Sequence, residues 1–164
     1  MIQRLTIIII CIIFVFLWGC VKKPIIKPEP VPPVVEDTGE EPSARFIDWQ
    51  SIPELKTINF DFDKSDLSQY ACKILSGNAQ YLKSHQELDI IVEGHCDERG
   101  SSEYNLALGQ HRASIVREYY GKLGIKLSRI ATISYGEEKP VDSMSREDAW
   151  AKNRRAETKI RLKK

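Results

Sequence analysis

The stretch that most constrains this chain is Glu93 to Arg117, EGHCDERGSSEYNLALGQHRASIVR, which leaves an apolar strand, crosses a polar turn and enters an amphipathic helix. Leu88 to Glu93 has a continuous apolar centre, Ile90-Ile91-Val92, as expected of a central strand covered on at least one face. A helix from about Ser102 to Leu123 places Leu108, Ile115, Val116, Tyr119 and Leu123 on its inner side, and Gly124 is positioned to stop it. Asp97 closes the strand and Arg112 follows on the helix, so a strand-turn-helix layout brings opposite charges to one cleft. Such a pair can grip a zwitterion, the carboxylate accepting from an ammonium and the guanidinium forking onto a carboxylate.

The flanking segments carry their own periods. Ile58, Phe60 and Phe62 alternate with Asn59, Asp61 and Asp63, the pattern of a half-buried strand. Leu67, Tyr70, Ala71, Ile74, Leu75, Asn78, Tyr81 and Leu82 trace a helical stripe on which only Asn78 is polar. Ile130 to Tyr135 predicts a third strand, and Arg155 to Leu162 alternates as a fourth. Between them, Ser145-Arg146-Glu147-Asp148 has the form of a capping box opening a short helix. The order β-α-β-α-β-α-β predicts an α/β sandwich, with helices packed on one face of a small mixed sheet.

The amino end is of a different kind. Met1 to Gly19 carries one early cation, Arg4, and an apolar run from Leu5 to Trp18 broken only by Thr6. A membrane-spanning helix needs about 20 apolar residues, so this shorter run with its positive start reads as a signal-peptide core and predicts export. Residues 20–45 hold six prolines (Pro24, Pro28, Pro30, Pro32, Pro33 and Pro42) and no sustained apolar period, which makes them a linker. Extended at about 3.1 Å per residue, such a spacer reaches on the order of 75 Å. Residues 46–164 remain as one globular domain with one core. Lys+Arg number 24 against 23 Asp+Glu, so losing Arg4 with the leader leaves the chain near neutral. That balance argues against a nucleic-acid partner, and the terminal Lys159, Arg161, Lys163, Lys164 alternation fits a solvated strand edge.

VEGHCDERGSSEYNLALGQHRA, preceded by FDFDKSDL and followed by SYGEEKP and NRRAE, resembles the OmpA C-terminal-like superfamily and, within it, the peptidoglycan-associated lipoproteins, over roughly Ile58 to Leu162. The resemblance implies the fold just described, a non-enzymatic protein without a cofactor, and a bound group: the meso-diaminopimelate of the peptidoglycan stem peptide. It puts the binding carboxylate on Asp97 and the binding guanidinium on Arg112, with Phe62, Asp63, Arg99 and Leu108 at the rim. Phe62 and Leu108 also fit core periods. Asn153-Arg154-Arg155 matches the family's NRR, where Arg154 or Arg155 either supports the site or belongs to a solvated basic turn. Cys96 stands where the family commonly has Thr or Ala, and His111 where a second basic residue often precedes the arginine.

Leu17-Trp18-Gly19-Cys20 resembles the family's lipoprotein cleavage box, with Trp18 where a smaller residue is usual. It implies acylation of Cys20, several chains on one cysteine holding a membrane stably where one does not. Val21 rather than Asp after that cysteine implies the outer membrane, on its periplasmic face. The resemblance further implies a TolB-like periplasmic β-propeller partner and a place in the Tol-Pal system of envelope constriction at cell division. An OmpA-like wall anchor of another envelope or motility complex shares the fold, but the single cleavage box, proline linker and lone domain favour the free lipoprotein. Cys72 and Cys96 remain after maturation, either as a disulfide or as two separate small residues. A zinc-dependent hydrolase built from His95, Cys96, Asp97 and His111 is the rival from another class, but consecutive strand residues point to opposite sides and no preorganised ligand spacing is present.

Overall fold

The periods resolve into β1 (Ile58–Asn59), α1 (Gln69–Ser84), β2 (Leu88–His95), α2 (Ser102–Lys122), a 3-10 turn (Leu127–Arg129), β3 (Ile130–Gly136), α3 (Glu147–Asn153) and β4 (Arg155–Leu162). This computed structural model describes residues 48–163; the expected leader over 1–19, Cys20 and the linker to residue 45 lie outside the described residues. The three helices pack with one four-stranded mixed sheet of order β1-β4-β2-β3. β2 runs parallel to β3 and antiparallel to β4, with Ile90 opposite Ile130 on one side and Ile160 on the other.

One apolar core lies between α1, α2 and the sheet. Leu75 and Leu82 of α1, Val116 and Tyr120 of α2, and Ile90, Val92 and Ile130 of the sheet are all buried in it. Asn78, the polar residue on the α1 stripe, is satisfied there: its amide bonds the Lys56 backbone in both directions, at 3.0 and 2.9 Å, and donates to the Tyr120 hydroxyl at 3.2 Å. That hydroxyl also meets Thr158 Oγ1 at 2.9 Å, so one polar chain ties both helices to β4. Arg129 fills a similar role, donating to the carbonyls of Leu82, His85 and Leu88 at the junction of α1 and β2.

The structure differs from the periodicity in four places. β1 ends at Asn59: Phe60 stays in the core with its N–H on the Arg154 carbonyl, after which the chain turns, reaching φ +56° at Asp63. Tyr70 is exposed, because α1 begins only at Gln69, where the Ser68 hydroxyl accepts from the Ala71 N–H. On α2 the fully buried line is Asn105, Gly109, Arg112, Ala113, Val116 and Tyr120, while Leu108, Ile115, Tyr119 and Leu123 flank it half-buried. Its smallest residues meet the sheet. α3 is capped at Arg146 without any side-chain cap bond, so Ser145 does not form the expected box.

Strand alternation sends Ile90, Val92 and Gly94 toward the helices and Asp89, Ile91, Glu93 and His95 to the other face. Gly94 meets Gly109 of α2 so closely that a Cβ on Gly94 would overlap the Gly109 carbonyl, while one on Gly109 would overlap Ser134 Oγ and lie 3.0 Å from the Gly94 carbonyl. This contact sets how near α2 lies to β2, and with it the separation of the groups at the strand's end. Gly124, at φ +89°, ends α2 as expected. Cys72 and Cys96 are both free thiols.

Candidate functional site

β2 ends at His95, and the chain then turns through Cys96, Asp97, Arg99 and Gly100 into α2, whose first turn is capped by the Ser101 hydroxyl accepting from the Tyr104 N–H. Gly100 takes φ +112° in that turn, a region that side chains disfavour. The segment after β1 and Arg154, between α3 and β4, close around this turn. The result is a pocket of about 270 Å³ lined by all six expected residues, Phe62, Asp63, Asp97, Arg99, Leu108 and Arg112. Phe62 is exposed and Leu108 half-buried, so both belong to the pocket wall rather than to the core.

Arg112 and Asp97 do not pair with each other as a structural salt bridge. The Arg112 side chain, 1% exposed, donates from Nε to the Lys64 carbonyl at 2.9 Å, from Nη1 to the His95 carbonyl at 2.8 Å and from Nη2 to the Asp61 carbonyl at 3.2 Å. A weaker contact runs from Nη1 to Cys96 Sγ at 3.4 Å. Among the described residues no carboxylate bonds Arg112 directly, so this buried cation is compensated by carbonyl dipoles, the Phe60 ring and the charges of Asp97 and Asp63 acting without contact. In this structure most of the Arg112 N–H groups are committed to backbone carbonyls. What remains for a ligand is the full charge and the remaining Nη2 hydrogen.

Asp97, 4% exposed, is held from the other side. Its Oδ1 accepts from the Arg99 N–H at 3.1 Å and Nε at 3.2 Å, and its Oδ2 from Arg99 Nη2 at 2.7 Å and Arg154 Nη1 at 3.2 Å. Burial works to raise the Asp97 carboxyl, but the hydrogen bonds from Arg99 and Arg154 outweigh it and hold the group below its usual range. Arg154 is thus the member of the basic pair at the site, whereas Arg155 bonds Glu157 at 2.6 Å on the helix-free face. Burial pushes the Cys96 thiol up to about 11, so it stays protonated at neutral pH, donating to the Asn105 carbonyl at 3.2 Å.

Three contributors escaped the sequence analysis. Asn105 donates to the carbonyls of Asp97 and Arg99, each at 3.2 Å, and to the Glu137 carboxylate, fixing the turn from beneath. Its signal was available: it precedes Arg112 by two helical turns on the same face. Tyr104 donates its phenol to Asp63 across the pocket mouth. Trp150 lies 4.2 Å from the Arg99 guanidinium, which is sandwiched against Phe62 at 4.0 Å on its other face. No local period could have joined Trp150 to Arg99, since α3 reaches the rim only through tertiary packing. The zinc set is not gathered, because His95 points to the helix-free face, Cys96 and Asp97 line the pocket, and His111 is exposed.

The OmpA family model matches residues 59–154 of this chain. A peptidoglycan-associated lipoprotein of Haemophilus influenzae is 45% identical over 124 residues, which cover 73% of this chain and 81% of that protein. One from Brucella melitensis is 46% identical over 101 residues, 62% of this chain, and the match spans 60% of that relative's length. The crystal structure of the peptidoglycan-associated lipoprotein from Burkholderia pseudomallei superposes with a TM-score of 0.62 at 44% identity, covering 64% of this chain and 89% of that one.

Proposed function

The chain belongs to the OmpA family and, within it, to the peptidoglycan-associated lipoproteins, and on that premise we propose that it is a non-enzymatic tether that holds peptidoglycan non-covalently through the diaminopimelate of the stem peptide. The observation that carries this reading is the buried Arg112 guanidinium, which lines the pocket with Asp97 yet makes no ion pair with an acidic side chain among the described residues. A cation so placed has no carboxylate bonded to it directly, a position that a ligand carboxylate fills. The negative charges of Asp97 and Asp63 attract an ammonium to the same pocket, and Phe62 with Leu108 covers the aliphatic stem between the two charges.

The rest of the chain fits a tether. Acylated Cys20 anchors it to the outer membrane on the periplasmic side, the proline-rich residues 20–45 span the gap, and the domain reaches the wall. Exposed ion pairs contribute only about 0–1 kcal/mol, so hold comes from desolvation in the pocket and from many domains on one polymer. The family relationship supports a TolB-like periplasmic β-propeller as a competing partner within the Tol-Pal division machinery.

Co-sedimentation of the full chain with purified sacculi tests the role of the acidic centre. Asp97→Asn keeps the side chain's shape but removes the charge, and charge-assisted hydrogen bonds contribute about 1.5–3 kcal/mol, so retention is expected to fall roughly 10- to 100-fold. Retention equal to the unaltered chain, with circular dichroism also unchanged, would contradict the assignment.

A further inference from the structure

The helix-free face of the sheet holds a second cluster, separate from the pocket. Glu93 on β2 stands directly opposite Glu157 on β4, so two carboxylates face each other across the ladder. His95 follows on the same face of β2, 1% exposed, with neither ring nitrogen hydrogen-bonded. Its Nε2 points at Glu93 Oε2 from 3.8 Å, too far for a hydrogen bond. A buried imidazole without a hydrogen-bond partner is costly even with its ring stacked 5.6 Å from Tyr135, and Glu93 and Glu157 are oxygen donors of the kind that share a metal with it.

The ligand atoms of Glu93, His95 and Glu157 all lie within 4.8 Å of one another. We propose that these three residues form a binding site for a divalent transition-metal ion of the zinc class. Zinc holds nitrogen and oxygen ligands at about 2.0–2.2 Å in tetrahedral geometry, so the three atoms need to close by roughly 1 Å, a side-chain adjustment that leaves the strands in place. Imidazole among the donors favours zinc, cobalt or nickel over magnesium or calcium.

A cation already occupies this space. Lys159 Nζ lies 2.7 Å from Glu93 Oε2 and 3.9 Å from Glu157 Oε2. Its side chain is 22% exposed and its stem flexible, so it leaves for solvent when the ion enters. Arg155, whose Nε is 2.6 Å from Glu157 Oε1, stays and orients that carboxylate, leaving the other oxygen for the metal. The ion would bridge β2 and β4 on the face opposite the helices, with a fourth position open to water. Only His95 is shared with the zinc set considered from the sequence.

The test uses the full chain stripped with chelator and titrated calorimetrically with Zn²⁺, followed by Co²⁺ spectroscopy. One equivalent is expected to bind, with cobalt bands of nitrogen and oxygen ligation only. Glu157→Gln, at a half-buried position and with its fold checked by circular dichroism, is expected to weaken binding about tenfold or more. Lys159→Ala, by removing the competing ammonium, is expected to tighten it. Absence of binding, affinity unchanged in Glu157→Gln, or a thiolate-to-cobalt charge-transfer band that moves the ion to a cysteine would each overturn the proposal.

Discussion

Arg112→Ala is expected to destabilise the domain by about 3 kcal/mol or more, as well as to abolish wall binding. The guanidinium supplies the donors for the carbonyls of Asp61, Lys64 and His95, which come from the turn after β1 and from the end of β2. Its removal leaves acceptors unpaired, each costing about 1–3 kcal/mol where water cannot reach, and opens a cavity between the segments it joins. For a domain of this size that corresponds to a fall in Tm of roughly 10 °C. Arg112→Lys retains the charge without the planar fork, so its Tm is expected to lie between the two. Thermal denaturation followed by circular dichroism measures both, and an Arg112→Ala midpoint within about 2 °C of the parent would show that these bonds do not hold the pocket. Loss of binding in Arg112→Ala therefore mixes two causes, and Asp97→Asn, which takes the counter-charge from Arg99 and Arg154, is read beside its own melting curve.

Gly94→Ala is expected to damage the domain at least as severely, by roughly 3 kcal/mol or more. A Cβ on Gly94 would overlap the carbonyl of Gly109, a backbone atom of α2 that cannot rotate away. The helix would have to lift from the sheet, exposing apolar surface along Val92 and Ala113 and drawing Arg112 away from the His95 carbonyl. Small-to-large changes in a packed core commonly cost about 1–3 kcal/mol, and backbone-to-backbone overlap belongs at or above the upper end. Gly77→Ala is the natural control, because nothing lies within 4 Å of a Cβ built there and the helix gains about 1 kcal/mol from better propensity. Chemical denaturation of the two variants should move in opposite directions; equal stability of Gly94→Ala and the parent would remove the close approach as the feature that positions α2.

The elements were legible in the sequence where burial is one-sided. β2 with its Ile90-Ile91-Val92 centre, the α1 stripe and the stop at Gly124 follow from periodicity alone. α2 was placed correctly, but its inner line was not. Periodicity rewards large apolar residues, whereas the face that meets the sheet carries Gly109 and Ala113 for close approach and Asn105 and Arg112 for the pocket. The same displacement explains Leu108, which fits a core period and yet lines the pocket. At the site, the six expected residues came from motif resemblance, and the structure gathers all of them. Their bonding was not legible. That Asp97 is held by Arg99 and Arg154, and Arg112 by carbonyls, depends on where the turn after β1 and the start of β4 arrive, and only the assembled sheet decides that.

The most direct test of the central claim is calorimetric titration of the full chain with a stem peptide containing diaminopimelate, beside its lysine-containing analogue, which lacks the side-chain carboxylate. Saturable binding of the diaminopimelate peptide is expected, with a preference of about tenfold or more, because only that ligand brings a side-chain carboxylate to Arg112. Equal affinity for the two peptides, or binding to neither, would contradict it.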